Sequence, residues 1–210
     1  MASTQTPYGF RAVNELGGLP YAGSTRTFLI DPAGYATNIY NGSIVYVNAA
    51  GYINIVATTG ADVTTNSFPT TGAFTGAIGI FVGCSYVNAQ GQQMFGQYYP
   101  SGTTGVVTAY VIDDDRAVFQ VQSVGTVAQD ALGANVYLNA VQSTSTGSTT
   151  TGNSNTAIII GSSAAATTGW AFRVVGFPNM QGFSTVGDAF TDVLVKFNPV
   201  AHSYSNPAGI

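Results

Sequence analysis

The stretch Ala117-Val118-Phe119-Gln120-Val121-Gln122-Ser123-Val124 decides the fold, because apolar and polar residues alternate from Phe119 onward. Successive side chains of a β-strand point to opposite faces of its sheet. The alternation therefore predicts a strand whose Phe119 and Val121 face a core while the two glutamines face solvent.

The same period of two recurs on both sides of this strand. Asn41-Gly42, a dipeptide suited to a type I′ turn, lies between the strand-like residues 36–40 and 43–47 and predicts a hairpin. Residues 127–132 predict at most a single helical turn, and the polar residues 142–155 predict an exposed loop. Since no long segment has a helical period, the expected class is all-β: an antiparallel β-sandwich or barrel-like domain with long loops.

Three segments are predicted along the chain. Residues 1–28 lack strand periodicity and form an extended N-terminal arm, which packs on the body or on a neighbouring molecule. Residues 29–198 form the β-rich body, and residues 199–210, with two prolines, form an irregular C-terminal tail.

The composition excludes several classes of function. The chain has 210 residues, of which 45% are hydrophobic and only 7% charged, with a net charge of −4. This balance gives no electrostatic basis for binding nucleic acid or an anionic membrane. No basic segment followed by an apolar stretch opens the chain, so we expect synthesis in the cytoplasm.

The residues needed for catalysis are scarce. The single cysteine, Cys84, lies in an apolar run and is expected to be a buried, inert thiol, and the single histidine, His202, lies in the tail. The sequence has no phosphate-binding glycine loop and no nucleophile elbow. We therefore expect a protein that is not an enzyme and uses no cofactor.

Two groups of carboxylates leave alternatives open. Asp113, Asp114 and Asp115 form the densest charge cluster, which is either a Ca²⁺ site or, preferably, an acidic turn. Asp188 and Asp192 suggest a glycosidase-like pair, but no second motif supports that activity.

The basic residues of the arm also allow two interpretations. Arg11 and Arg26 are two of only five basic residues in the chain. They either pair with an acidic surface of a partner or keep an acidic protein soluble.

Several short motifs, in order along most of the chain, resemble those of capsid decoration or cement proteins of tailed bacteriophages, notably marine podoviruses and prophages. They are Tyr8-Gly9-Phe10-Arg11-Ala12-Val13, Gly17-Gly18, Ala33-Gly34-Tyr35-Ala36-Thr37, Ile78-Gly79-Ile80-Phe81-Val82-Gly83-Cys84-Ser85-Tyr86, Gln97-Tyr98-Tyr99-Pro100, Tyr110-Val111-Ile112-Asp113-Asp114, Val118-Phe119-Gln120-Val121-Gln122 and Phe172-Arg173-Val174-Val175-Gly176.

The resemblance implies a structural protein of the virion without catalytic residues, made in the bacterial host. Such a protein binds the outer capsid surface and stabilises contacts between capsomers of the major capsid protein. We expect a closed homo-oligomer, a trimer in preference to a dimer, with Tyr8, Phe10, Arg11 and Arg26 contacting the capsid or a partner. The alternative is a receptor- or glycan-binding domain of a head or tail fibre, since exposed aromatic residues stack on sugars.

Overall fold

The computed structural model describes residues 4–56, 76–138, 147–159, 170–178 and 184–205. Their only helical element is a 3₁₀ turn, Gln129–Ala131, which confirms the predicted helical turn. No helix in these ranges is long and apolar enough to span a bilayer. The strands are β1 Arg11–Glu15, β2 Arg26–Ile30, β3 Ile39–Tyr40, β4 Ile44–Val47, β5 Ile53–Ile55, β6 Gly79–Val87, β7 Gln93–Gly96, β8 Tyr98–Tyr99, β9 Val107–Ile112, β10 Ala117–Val124, β11 Asn135–Leu138, β12 Ile158–Ile159, β13 Phe172–Gly176 and β14 Asp192–Phe197.

The first sheet is built around β10, the strand with the clearest alternation. β10 pairs with β1, β12 and β14, and the order continues from β12 through β11 and β13 to β14. Since β14 pairs back with β10, five strands form a closed ring with β1 attached to it. Phe119 and Val121 are buried inside, as predicted.

The second sheet has the order β2-β9-β6-β4-β5, with β7 also paired to β6, and a separate ribbon joins β3 to β8. Nearly all pairings are antiparallel; β10 with β12 is the parallel pair among the named strands. Antiparallel sheets packed together confirm the predicted all-β class.

Two hydrophobic clusters hold the sheets together. The first fills the closed ring and includes a group of phenylalanine rings, with centroids 4.8 Å apart for Phe10 and Phe172 and 4.7 Å apart for Phe172 and Phe197. The second covers one face of the second sheet and includes Phe81 and Tyr99. Aromatic pairs at these distances contribute beyond the area they bury.

The prediction that residues before about Leu29 lack strands is wrong. β1 pairs with β10 and β2 pairs with β9, so the predicted arm packs on the body and adds a strand to each sheet. Gln122, expected to face solvent, is buried beneath this segment: its side-chain Nε2 donates to the Thr4 carbonyl at 3.1 Å, and its Oε1 accepts from the Thr6 N–H at 2.9 Å.

The hairpin predicted at Asn41-Gly42 is wrong in its pairing, because β3 pairs with β8 whereas β4 pairs with β5 and β6. A turn is present, but of its two central residues only Gly42 has a positive φ, 86°, and a type I′ turn needs both. Long-range bonds explain the difference. The Asn41 N–H donates to the Gly152 carbonyl at 2.9 Å and the Gly42 N–H to the Phe81 carbonyl at 2.8 Å.

The long polar loop and the tail contribute to the packed structure. Residues 142–146 of the predicted exposed loop lie outside the described residues, but Gly152 and Ser154 are buried beside the turn at Asn41. In the tail, residues 199–205 are irregular, yet Ala201 and His202 are buried. The Ala77 N–H donates to the Ala201 carbonyl at 2.8 Å, which fixes the tail to the body.

Candidate functional site

One face of the second sheet is exposed and uncharged, and we call it the open face. Its residues share a side because cross-strand partners lie on the same face: a single row runs from Leu29 to Thr108, Ser85 and Phe95 across four strands. The members are Thr27 and Leu29 on β2, Ser85 and Val87 on β6, Gln93 and Phe95 on β7, and Val106, Thr108 and Tyr110 on β9 or next to it.

The open face ends where the first sheet begins. On the same side of β9, Ile112 lies next to Tyr110 in the alternation, and it is buried with Ile80 in the first cluster. Farther along the strands the apolar side chains are exposed, with Phe95 75% exposed, Val106 72% and Leu29 49%, whereas Ser85 between them is 8% exposed. Leu29 and Phe95 lie at opposite ends of the row, so the exposed apolar area is spread across the face.

Of the residues expected to contact a partner, three lie at one place on the ring. Phe10 is 1% exposed and packs between other rings, so it is a core residue and presents no surface to a partner. The Tyr8 hydroxyl donates to Asp192 Oδ1 at 3.0 Å, and the Arg11 guanidinium lies over the Tyr8 ring, 4.6 Å from its centroid. Arg11 itself is exposed and remains available.

The contacts of Asp192 with Tyr8, Gln120 and Arg11 act on the pKa of its carboxyl. Burial raises the pKa of its carboxyl, whereas hydrogen bonds from Tyr8 and Gln120 and the charge of Arg11 lower it. Burial, followed by the charge of Asp192, also raises the pKa of Tyr8. Asp188 has a different task, since its Oδ2 accepts from the Thr185 N–H at 3.2 Å and closes a turn. The two carboxylates therefore serve separate structural contacts.

The fourth expected contact residue, Arg26, lies beside the acidic turn. Its guanidinium forms a 2.8 Å ion pair with Asp113, and the Tyr204 hydroxyl donates to the same carboxylate at 3.0 Å. Asp114 Oδ1 accepts from the backbone at 2.8 Å, and Asp115 Oδ2 accepts from the tail at 3.0 Å. Each carboxylate thus has its own partner.

The acidic turn does not gather these carboxylates into a metal site. Within the described ranges, no group of three His, Cys, Asp or Glu side chains lies close enough to hold a metal ion. The hydrogen bonds of the three carboxylates are contacts with the turn backbone, with Arg26 and with the tail. The turn connects β9 of the second sheet to β10 of the first, and its Asp113 bonds with Tyr204 of the tail and with Arg26 of β2.

Cys84 is buried, as the sequence predicted. Burial raises the pKa of its thiol to about 12, with a smaller opposing effect of a hydrogen bond to the Gly96 backbone. A thiol held in its neutral form is a poor nucleophile.

Sequence reasoning missed the open face because it sought charged and aromatic side chains near the N-terminus. A signal was available: residues 76–112, which supply β6, β7 and β9, contain no charged residue. The described surface therefore includes an uncharged face on the second sheet. No protein-family model, no curated protein and no solved structure matches this chain.

Proposed function

We propose that this chain is a non-enzymatic decoration protein of a phage virion, which binds the outer capsid surface and stabilises contacts between capsomers of the major capsid protein. The open face is the observation that carries the proposal. The motifs of the sequence that resemble those of decoration proteins support the same role.

The chemistry of the open face suits contact with another protein. The buried centres of protein interfaces are poor in charge and rich in aromatic residues. The open face holds no charged residue, and Phe95 projects from it with Tyr110 two strands away. The Ser85 and Tyr110 hydroxyl groups form a hydrogen bond with each other at 3.1 Å, so the threonine hydroxyls and the Gln93 amide are the groups with hydrogen bonds available.

The size of the open face favours binding by several copies together. Four strands spaced about 4.8 Å apart, over about five residues of about 3.3 Å each, give a patch of roughly 200–300 Å². A standard interface needs about 800 Å² per partner. A closed homo-oligomer that presents several open faces to a repeating shell would gain the missing affinity from linked contacts.

Quantitative mass spectrometry of purified virus particles, normalised to the major capsid protein, tests the role. A decoration protein is expected in copy numbers comparable to the capsid protein. Only a few copies per particle would favour the receptor-binding alternative, and absence from the particle would overturn both functions.

Add-back of the purified chain to heads that lack it tests the surface. Phe95→Thr and Leu29→Thr are expected to weaken binding. Leu132→Thr is the matched control, because Leu132 is 50% exposed, as Leu29 is 49% exposed, but lies outside the open face. Equal binding by all three folded variants would exclude the open face as the capsid contact. Because the face is uncharged, wild-type binding should change little when salt rises about tenfold.

A further inference from the structure

A pocket of about 410 Å³ lies where β1, the turn at Asn41 and the polar loop meet the second sheet. This volume lies within the roughly 300–1,000 Å³ of small-molecule sites. Its lining combines apolar side chains with amide and phenol groups. The apolar lining residues are Phe10, Ala12, Val82 and Ile112, of which Phe10 and Ile112 are buried, and the polar ones are Tyr21, Asn41, Gln97 and Asn153.

The amide of Asn41 is held in place from several sides. The side-chain Nδ2 donates to the Val82 backbone carbonyl at 3.1 Å, and the backbone carbonyl of Asn41 accepts from the Ser154 N–H at 2.8 Å. This leaves the side-chain Oδ1 as an oriented acceptor. A preorganised amide loses little conformational entropy when a ligand binds.

The other two amides have no such internal partner. Neither the Gln97 nor the Asn153 side chain forms a hydrogen bond with another residue in the described ranges. The Gln97 side chain nevertheless lies against Gly152, since a Cβ atom built on that glycine would lie 2.8 Å from Gln97 Cβ. Two amides therefore stand at the pocket with donors and acceptors available.

Arg11 is the charged residue among those that line the pocket, and its guanidinium lies over the Tyr8 ring, 4.6 Å from the ring centroid. Burial, together with smaller effects of the nearby Asp114, Asp113 and Glu15, raises the pKa of Tyr21 to about 12. Acidic groups close by disfavour an anionic ligand.

Two ligand classes fit this lining less well than a third. A purely apolar molecule would cover these amides without replacing the hydrogen bonds that they make with water. An anion would meet the field of the acidic turn, which opposes the attraction of Arg11. A neutral sugar has an apolar C–H face for the partly exposed Ala12 and Val82 and hydroxyl groups for the amides.

We propose that this pocket binds a neutral pyranose residue, whose hydroxyl groups hydrogen-bond with Asn41, Gln97 and Asn153. One such site is weak, but many copies on a particle would bind a glycan-covered surface through linked contacts. Sugar binding requires only the isolated chain, whereas decoration requires a capsid, so the two proposals fail independently.

Saturation-transfer NMR on the purified chain tests the site with methyl glycosides of glucose, galactose, mannose and N-acetylglucosamine at about 10 mM each, and with glucuronic acid as the charged comparison. At least one neutral glycoside is expected to show transfer, and glucuronic acid is expected to show less. No transfer from any neutral glycoside, or stronger transfer to glucuronic acid, would overturn the proposal.

Variants then locate the binding. Gln97→Ala and Asn153→Ala are each expected to weaken affinity about fivefold, the loss typical of a neutral hydrogen bond. Gln90→Ala, in the exposed β6–β7 turn, is the matched control and should bind as wild type does. Val82→Phe should fill the pocket and abolish transfer while the thermal midpoint confirms folding. Unchanged binding by these folded variants would place the sugar elsewhere and refute the site.

Discussion

Replacing Phe10 by alanine tests whether the N-terminal segment belongs to the folded core. The ring is 1% exposed, stacks on Phe172 at 4.8 Å and meets Phe119 edge-on at 6.3 Å. If the segment packed only on a neighbouring molecule, this change would hardly alter the free energy of unfolding of the isolated chain. If Phe10 is a core residue, the free energy of unfolding should fall by several kcal/mol.

The magnitude follows from the buried area. An aromatic side chain removes about 150–250 Å² from water, which at about 25 cal/mol per Å² corresponds to about 4–6 kcal/mol as an upper bound. Phe→Ala changes in cores cost about 3–5 kcal/mol, part of it from the cavity left behind. We expect Phe10→Ala to lower the free energy of unfolding by about 4 kcal/mol.

Urea unfolding followed by fluorescence and far-UV circular dichroism measures the change, with the slope on denaturant compared between variants. Phe95→Ala is the control, because Phe95 is 75% exposed and should change stability by less than about 0.5 kcal/mol. A loss below about 1 kcal/mol for Phe10→Ala would refute the packing of the N-terminal segment described above.

Three further changes test separate parts of the structure. Gly42→Ala should lower the free energy of unfolding, measured with urea, by at least about 2 kcal/mol, because the new Cβ would lie 2.8 Å from Phe10 N. The control is Gly51→Ala, whose φ of 85° is close to the 86° of Gly42 but which has open space around it, and it should lower that free energy by about 1 kcal/mol. Equal losses for the two variants would exclude a clash at Gly42. Burial lowers the pKa of His202, although Asp115, Asp113 and Asp114 oppose this effect. As the pH drops below about 6.5, this histidine therefore takes up a proton in the unfolded chain before it does so in the folded one, and the free energy of unfolding should fall. A fall of the same size in His202→Gln would assign the pH dependence to other groups. Cys84 should react with a thiol reagent at about pH 8 only after unfolding, and rapid labelling of the native chain would show that it is accessible.

The parts of the fold that the sequence predicted are those decided by local pattern. β10 alternates over enough residues to mark Phe119 and Val121 as its inner face. The turn between β4 and β5, Asn48-Ala49-Ala50-Gly51, is likewise a local feature, because the Asn48 side chain accepts two backbone N–H groups at 2.9 and 3.0 Å. Such turns are specified by residues adjacent in sequence.

Other parts depend on partners far along the chain. β1 is a five-residue strand with a bulge after Ala12, and its pairing with Phe119 spans more than a hundred residues, so no local pattern marks it. The turn at Asn41-Gly42 has the local preference of a hairpin, but hydrogen bonds to Phe81 and Gly152 override that preference.

The candidate site was harder to predict because aromatic and charged side chains that were expected to contact a partner form contacts within the chain. Phe10 is in the core and Arg26 is paired with Asp113. The pocket joins β1, the turn at Asn41, the end of β9 and the polar loop, a combination that only the tertiary structure brings together.

Several of the few charges of the chain hold its own segments together, and none lies on the open face. Arg26 and Tyr204 meet at Asp113, and Asp192 ties Tyr8 to β14. With five basic and nine acidic residues in all, the chain has few left for the strands of residues 76–112. A surface without charge binds through apolar burial and hydrogen bonds, so it selects partners by shape rather than by the sign of their charge. The proposed capsid contact on the open face and the proposed sugar site in the pocket would both depend on contacts of that kind.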